Sequence, residues 1–449
     1  MTNPRIKLSL RLAVALLCLF VSQSVPCSQT KESQAPSRSV VKFRLSFELR
    51  KTAAVSFSPV SKLLAVRRED GSIQILDITG GREPITLPLK IKDPFGMQWT
   101  ADGLRLLVMS SKFAVLWDSR VGQMSPREKY FKLTDVMELS PDEATLLSVK
   151  TDDSIRVSFL YNEKKRVRVW DVASGQLKLE LQIKGYNGQV QFSPNGKQLL
   201  TTSESEDARL WDVETGRLIA KLKPTDPGYG EGSSGLFRPD GKVVAVKSGG
   251  YGIYIWDCAT GLVKSSVVDE TFTKHPSLAG FSPDGRLLAI YGSSAAITDA
   301  IEMRDSETGE LRSTLTAKNM RGEYEQMVWS SDSRTVVRAA GNKYEAKSWD
   351  VSTGQLKATF PMLLTFTRIP FDWGYKDRDR LAIHPTLPIV SAANDKFVRF
   401  WNSETGELMQ TLGNSGSYAE WSADGKLFLT FAKDLSSASV WDVEAFSGS

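Results

Sequence analysis

The sequence predicts an all-β protein built from nine copies of one small four-stranded sheet. Three marks recur in fixed order along residues 40–446: a Trp-Asp pair, a glycine four residues later, and an aromatic residue followed by Ser-Pro or a related pair. Units of about 40–45 residues cannot bury a core alone and therefore stack against their neighbours. One repeated domain thus replaces the roughly three domains that 449 residues would otherwise suggest.

The Trp-Asp pair closes an alternating apolar strand. Six pairs are intact and three are altered, at spacings of 40–53 residues. The intact pairs begin at Trp117, Trp170, Trp211, Trp256, Trp349 and Trp441, and the altered ones are Leu76-Asp77, Arg304-Asp305 and Trp401-Asn402. We expect these tryptophans to be structural, because a packed indole removes about 150–250 Å² from water.

A glycine follows four residues after the acidic or Asn position in eight units. These glycines are Gly81, Gly122, Gly175, Gly216, Gly261, Gly309, Gly354 and Gly406. Glycine adopts positive φ without a Cβ penalty, as tight hairpin turns often require. The segment therefore predicts a strand c, a tight turn and a strand d.

The aromatic residue and Ser-Pro end the first strand, a, of each unit. Phe192-Ser193-Pro194 is an intact example, and a short apolar strand b follows it. Proline ends the strand because it cannot donate a hydrogen bond to the ladder. His384 takes the serine position in Ile383-His384-Pro385, so we expect it to be a strand-end residue and not a catalyst.

These combined marks resemble the WD40 family in its divergent bacterial style. The resemblance covers residues 40–446 and implies a single β-propeller of nine four-stranded blades, with eight blades as the alternative. Residues 40–49 alternate without a Trp-Asp strand before them, so we expect them to pair with the last strand c, 437–443, and close the ring. The family's Gly-His pair is missing, so the histidine-centred tetrad is not expected and blade cohesion should be mainly apolar.

The first residues have the features of an export signal. Three basic residues precede an unbroken apolar run at 12–21, and small residues follow it. Ten residues span about 15 Å as a helix, which is half of a typical hydrocarbon core. We therefore predict a signal peptide at 1–24 and a disordered polar linker at 25–39.

This signal predicts a secreted or periplasmic protein with no integral membrane span after its removal. The alternative is a membrane tether, through an uncleaved signal or through lipidation of Cys27. The signal holds three of the basic residues that give the chain its net charge of +5 and no acidic ones. The remaining charge is small and indicates no nucleic-acid partner.

The residues that usually carry chemistry are scarce. The chain has three cysteines and two histidines, His275 and His384, in no metal, haem or nucleophile motif. We therefore expect no catalytic residues, no cofactor and no metal. The alternative is a propeller enzyme, such as a carboxylate-metal hydrolase, or a small-ligand site in the central channel.

The long insertions predict where a partner binds. They are 152–166, 224–233, 293–300 and 361–379, and the resemblance implies that all of them lie on the face that holds the b–c and d–a connections. A basic run at 163–168 is interpreted as a solvated hairpin tip within the first of these insertions.

The insertion 361–379 is the best candidate for a partner-binding loop. It combines aromatic and charged residues of the kind enriched at interfaces, namely Phe371, Asp372, Trp373, Tyr375, Lys376 and Arg378. The alternative is that the loop folds back and plugs the channel mouth. The sequence thus predicts an extracytoplasmic, non-catalytic, monomeric scaffold for an unknown protein or surface polymer.

Overall fold

The structure is a computed structural model of the 449-residue chain. The described residues all belong to one compact unit, residues 38–449. They are 40–48, 52–58, 62–79, 81–87, 94–100, 102–110, 114–118, 136–151, 164–172, 174, 176–184, 189–204, 206–223, 232–248, 252–268, 276–291, 300–316, 325–340, 345–361, 381–393, 396–413, 418–422, 424–432 and 436–443.

The described residues form strands and no helix. Strand β1 is Val41–Glu48. Blades 1 to 3 hold β2 (Thr52–Phe57), β3 (Leu63–Arg68), β4 (Ile73–Asp77) and β5 (Ile85–Thr86); β6 (Pro94–Trp99), β7 (Arg105–Ser110) and β8 (Ala114–Asp118); β9 (Val136–Leu139), β10 (Thr145–Thr151), β11 (Lys164–Asp171) and β12 (Leu177–Lys184). Blades 4 to 6 hold β13 (Gln189–Phe192), β14 (Gln198–Ser203), β15 (Glu206–Asp212) and β16 (Leu218–Leu222); β17 (Gly232–Phe237), β18 (Val243–Ser248), β19 (Gly252–Asp257) and β20 (Val263–Val268); β21 (Ser277–Phe281), β22 (Leu287–Tyr291), β23 (Ile301–Asp305) and β24 (Leu311–Leu315). Blades 7 to 9 hold β25 (Glu325–Trp329), β26 (Thr335–Ala340), β27 (Glu345–Asp350) and β28 (Leu356–Pro361); β29 (Leu381–Ile383), β30 (Ile389–Ala393), β31 (Phe397–Asn402) and β32 (Leu408–Gly413); β33 (Tyr418–Trp421), β34 (Leu427–Phe431) and β35 (Ser437–Val443).

Each blade is an antiparallel meander of strands a, b, c and d. Eight sheets have four strands, and blade 2 shows β6, β7 and β8, because residues 119–135 lie outside the described part. The predicted nine-bladed propeller is therefore confirmed, and the eight-bladed alternative is not.

The ring closes through its first strand, as the alternation of residues 40–49 predicts. The ninth sheet has the order β1-β35-β34-β33, and β1 pairs along its length with β35. Gln410 of blade 8 fixes the start of β1, since its Oε1 accepts from the amides of Val40 and Val41 and its Nε2 donates to the Val41 carbonyl. No edge of the ninth sheet is left without its outer strand.

The meander gives the ring two different faces. Strands a and c end on one face, which we call the turn face, and strands b and d end on the other, which we call the insertion face. Every a–b connection has five residues, and so has every c–d connection from blade 3 to blade 8. The a–b connections are therefore uniform throughout, and from blade 3 to blade 8 the length varies only on the insertion face.

Nine apolar clusters join the blades, one at each interface. The cluster between blades 9 and 1 contains Leu429 and Val440 with Leu64 and Val66. The other eight interfaces follow in order around the ring. Each sheet thus buries both faces, which explains the nearly continuous burial of strands such as β18 and β34.

The turn glycines have two roles, of which the sequence predicted one. Gly216, Gly261, Gly309, Gly354 and Gly406 have φ between 67° and 76°, as expected. A Cβ on Gly261 would lie 2.3 Å from Ala220 Cβ, and one on Gly354 would lie 2.6 Å from the Thr314 carbonyl oxygen. The absent side chain therefore also lets each turn pack against strand d of the preceding blade.

Gly81 corrects this prediction for blade 1, because it is not among the residues with positive φ. Its c–d connection has seven residues, 78–84, and the Asp77 carboxylate accepts from the amide and hydroxyl of Thr79. The longer turn needs no left-handed residue at Gly81. Gly122 and Gly175 lie outside the described residues.

Polar contacts on the turn face also join neighbouring blades. A β-bulge in strand d turns Lys178, Lys264 and Lys357 toward the next blade. Their Nζ atoms lie 2.5–2.7 Å from Glu214, Glu307 and Glu404, respectively. These pairs are partly exposed, so they favour the correct blade-to-blade register more than they add stability.

We predict that Gly354→Ala destabilises the ring by about 2 kcal/mol, because alanine is disfavoured at positive φ and its Cβ would press on the Thr314 backbone. Gly413→Ala is the control, since a Cβ there meets nothing within 4 Å. Urea unfolding followed by tryptophan fluorescence measures both. Equal unfolding midpoints for the two variants would contradict the packing role of Gly354.

Candidate functional site

The insertion face carries the candidate partner site. The strand before each of the four predicted insertions ends on this face and the strand after it begins there, as for β10 and β11 or β28 and β29. The placement predicted from the sequence is therefore confirmed for the flanking strands. The residues Phe371, Asp372, Trp373, Tyr375, Lys376 and Arg378 lie outside the described residues, so their predicted role stays a prediction.

The structure corrects the boundaries of the insertions. The flanking strands extend beyond the periodic pattern, so the segments between them are 152–163, 223–231, 292–300 and 362–380. The basic run at 163–168 was wrongly assigned to a hairpin tip. Residues 164–168 belong to β11, where Arg168 Nε lies 2.7 Å from Glu180 Oε2 on the neighbouring strand.

Cationic side chains are buried in the part of blade 7 nearest the insertion face. Arg338 and Lys347 face each other across β26 and β27 and are 3% and 8% exposed. The Arg338 guanidinium lies 5.3 Å from the centre of the Tyr291 ring, and Lys347 Nζ lies 3.6 Å from Glu345 Oε2. The sequence analysis missed both residues, although charges in the otherwise apolar strand VVRAA were the available signal.

A third cation that lies in the part of a strand nearest the insertion face is Lys247 of blade 5. Burial lowers the pKa of its amine, and the negative charge of Glu204 opposes that shift. Its Nζ lies 3.4 Å from Ser277 Oγ of blade 6. Partly desolvated cations in a low-dielectric environment attract carboxylates more strongly than surface lysines do.

The described residues contain no group of three or more His, Cys, Asp or Glu side chains that could hold a metal ion. Cys258 is buried, and burial raises the pKa of its thiol to about 12, so the thiolate that would react or bind metal is disfavoured.

Within the described residues, no helix is long and apolar enough to cross a membrane.

The tryptophans of the Trp-Asp pairs are all at least partly buried. Trp117, Trp256, Trp349 and Trp401 are buried, while Trp170, Trp211 and Trp441 are partly buried. In the last three, the indole Nε1 donates to a hydroxyl on strand b at 3.0 Å, from Ser148, Thr201 and Thr430, respectively. A polar contact within the blade therefore survives without the histidine of the tetrad.

Three other blades bury the same indole nitrogen without a partner. The Nε1 atoms of Trp117, Trp256 and Trp401 have no hydrogen bond. In these three blades, the strand-b residue two positions after the tryptophan's cross-strand partner is Val108, Val246 or Ala392. The corresponding residue in the other three blades is Ser or Thr. Each of these blades thus carries an unsatisfied donor that a single hydroxyl would relieve.

His384 acts as the strand-end residue that the sequence predicts. Its Nδ1 accepts from the amides of Thr386 and Leu387 at 3.1 and 2.9 Å, so Nε2 carries the proton and donates to the Gly425 carbonyl at 2.8 Å. The side chain is 3% exposed. Burial lowers its pKa, against the opposing effects of the Gly425 hydrogen bond and Asp424. His384 therefore joins blade 8 to blade 9 as a neutral ring.

Comparison with known families agrees with this geometry. The family model described as "WD domain, G-beta repeat" matches residues 183–212, which contain the end of β12 and most of blade 4. This chain is a WD40-repeat β-propeller. The WD40 fold indicates a scaffold for protein interactions, and the other eight blades repeat the matched unit in more divergent form.

The chain is similar to parts of larger proteins. It is 26% identical over 278 residues to Protein tipD of Dictyostelium discoideum, covering 60% of this chain and 42% of that protein. It is 22% identical over 199 residues to apoptotic protease-activating factor 1 of Danio rerio, covering 41% of this chain and 15% of that protein. This chain therefore spans less than half the length of these relatives.

Two solved structures are also similar over most of the chain. The designed Ika8 protein is 16% identical at a TM-score of 0.47, covering 88% of this chain and 96% of its own. The C-terminal WD40 domain of Sif2 is 12% identical at a TM-score of 0.47, covering 90% of this chain and 99% of its own. The count of nine blades rests on the sheets described above.

We predict opposite changes in stability for two substitutions, one of which replaces a hydroxyl group by a methyl group and the other a methyl group by a hydroxyl group. Thr201→Val removes the acceptor of Trp211 Nε1 and should cost about 1 kcal/mol, whereas Val246→Thr gives Trp256 Nε1 an acceptor and should add up to about 1 kcal/mol. Urea unfolding checks both variants. A loss of stability in Val246→Thr equal to that in Thr201→Val would contradict the assignment.

We also predict that His384 makes the unfolding free energy depend on pH. Its pKa in the folded protein lies below the ordinary 6.5, so its contribution is complete above about pH 6.5 and is lost as the pH falls. His384→Ser restores the serine of the other repeats and should flatten this slope. Parallel unfolding titrations that give the same slope for both proteins would contradict the role of the neutral ring.

Proposed function

We propose that this WD40 protein is an exported, non-catalytic scaffold whose insertion face binds a partner protein. The observation that carries the proposal is the asymmetry of the ring. The turn face has five-residue connections almost throughout, whereas the strand before every long insertion ends, and the strand after it begins, on the opposite face. Loops on a rigid β-scaffold are where binding residues collect.

The partner is proposed to present an acidic segment to blades 5 to 7. Arg338, Lys347 and Lys247 lie in the half of the strands nearest the insertion face. Strand β28, which precedes the insertion 362–380, belongs to the same blade as Arg338 and Lys347. Aromatic anchors beside desolvated cations are a common composition of interface hot spots.

Export is proposed from the basic start and the apolar run at 12–21.

We predict that Trp373→Ala and a short replacement of 362–380 each abolish capture of a specific partner from the envelope fraction while unfolding midpoints stay unchanged. The purified partner should then bind the wild type and not the variants. Leu262→Ser is the matched control, because Leu262 is 67% exposed on the turn face of blade 5. Its partner set should equal that of the wild type.

Four other results would contradict parts of this proposal. Identical partner sets for all variants would remove the insertion from the interface, and loss of folding in Trp373→Ala would identify a structural plug. Binding of an isolated surface polymer, and of no protein, would replace the proposed class of partner. A full-length N-terminus in the purified native protein would contradict signal cleavage near residue 24.

A further inference from the structure

The seam of the ring is the pair of strands β1 and β35. Elsewhere in the described blades, neighbouring strands of one sheet are consecutive in the chain, whereas β1 and β35 are almost 400 residues apart. From blade 3 to blade 8, strand d is tied to strand c by a five-residue turn, and in blade 4 the Asp212 carboxylate caps that turn through Thr215. The β1–β35 pair has no such covalent tie.

β1 carries the same local chemistry as the other strands d. Phe43 pairs with Trp441, and Arg44 occupies the β-bulge that Lys178 and Arg312 occupy in blades 3 and 6. Arg44 Nη1 lies 2.8 Å from Asp442 Oδ1, as Arg312 Nη2 lies 2.9 Å from Asp305 Oδ2. The edge of β35 is therefore built to recognise an apolar residue followed by a basic one in an extended chain.

Much of β1 lies at the surface of the ring. Val40 and Val41 are buried in the cluster between blades 8 and 9, whereas Lys42, Phe43, Arg44, Ser46 and Glu48 are exposed. The side-chain contacts of β1 include the edge-to-face packing of Phe43 on Trp441, the Arg44–Asp442 pair and the three hydrogen bonds of Gln410. Its backbone pairing with β35 is an attachment that any extended strand of matching pattern can supply.

We propose that the β35 edge is a strand-accepting site and that its second occupant is the β1 segment of another copy of this chain. Residues 49–51 alone join β1 to β2, and a short connection of this kind favours exchange of the strand between copies. Reciprocal exchange restores every contact of the seam and gives a closed, two-fold symmetric pair. This site is independent of the partner surface on the insertion face.

The test uses the full chain and a fluorescent peptide with the sequence of residues 39–50 as a stand-in for the second copy. The double variant Phe43→Ala, Arg44→Ala weakens the chain's own β1 and leaves β35 intact, so the peptide gains an advantage. Anisotropy should show saturable uptake that exceeds the uptake by the wild type. A peptide carrying the same two alanines should lose that advantage.

Arg312→Ala is the matched control, because it removes the same contact in blade 6, where the strand is tied by its turn. Its peptide uptake should equal that of the wild type. Gln410→Ala frees the start of β1 without changing either strand of the seam, so it should also raise peptide uptake. This variant keeps the test valid if the double variant fails to fold. Light scattering should then detect a species of twice the mass in concentrated wild-type protein.

Equal uptake by the wild type, Gln410→Ala and Arg312→Ala would overturn the strand-accepting site. Peptide uptake without any species of twice the mass would overturn the second copy as its occupant. Capture of a partner by the insertion face is measured separately, so failure of this inference leaves the proposed function standing, and the reverse also holds.

Discussion

Packing between neighbouring sheets is the constraint on which the rest of the structure depends. Each blade is too small to bury a core by itself, and each contributes one face to the cluster before it and one to the cluster after it. The stability of any blade is therefore shared with two others. This explains why strands b and c are buried on both sides, and why the cluster between blades 9 and 1 is as complete as the others.

On the turn face, particular residues allow neighbouring blades to pack closely against each other. Glycines at positive φ, such as Gly261, remove the Cβ that would collide with the preceding blade, and the bulge lysines reach the glutamates of the following one. At Ser333 a serine holds the same kind of φ, 63°, and its hydroxyl accepts from the Asp284 amide of blade 6. A face occupied by such contacts has little freedom to vary, which leaves recognition to the opposite face.

Much of this fold follows from periodic sequence marks. The Trp-Asp pair, the turn glycine and the strand-end serine each fix one position in the blade, so nine repeats predict nine blades and the alternation of residues 40–49 predicts the closing strand. The marks do not fix contacts between residues that are distant in the chain. The packing of Gly354 on Thr314 and the link between His384 and Gly425 depend on neighbouring blades, and no local pattern encodes them. The site was predictable only as a face. The end of an insertion, as at Lys164, depends on cross-strand pairing, and the guanidinium of Arg338 lies against Tyr291 of a neighbouring blade.

Hydrogen exchange of the backbone amides of strand b in all nine blades tests this account most directly. Because every strand b lies between two inter-blade clusters, we expect all nine to be protected to a similar degree and to open together as one ring. Exchange of any one strand b, such as β7 or β34, as fast as the turn amides would show that its blade does not share the packing, and would contradict a continuous nine-bladed ring.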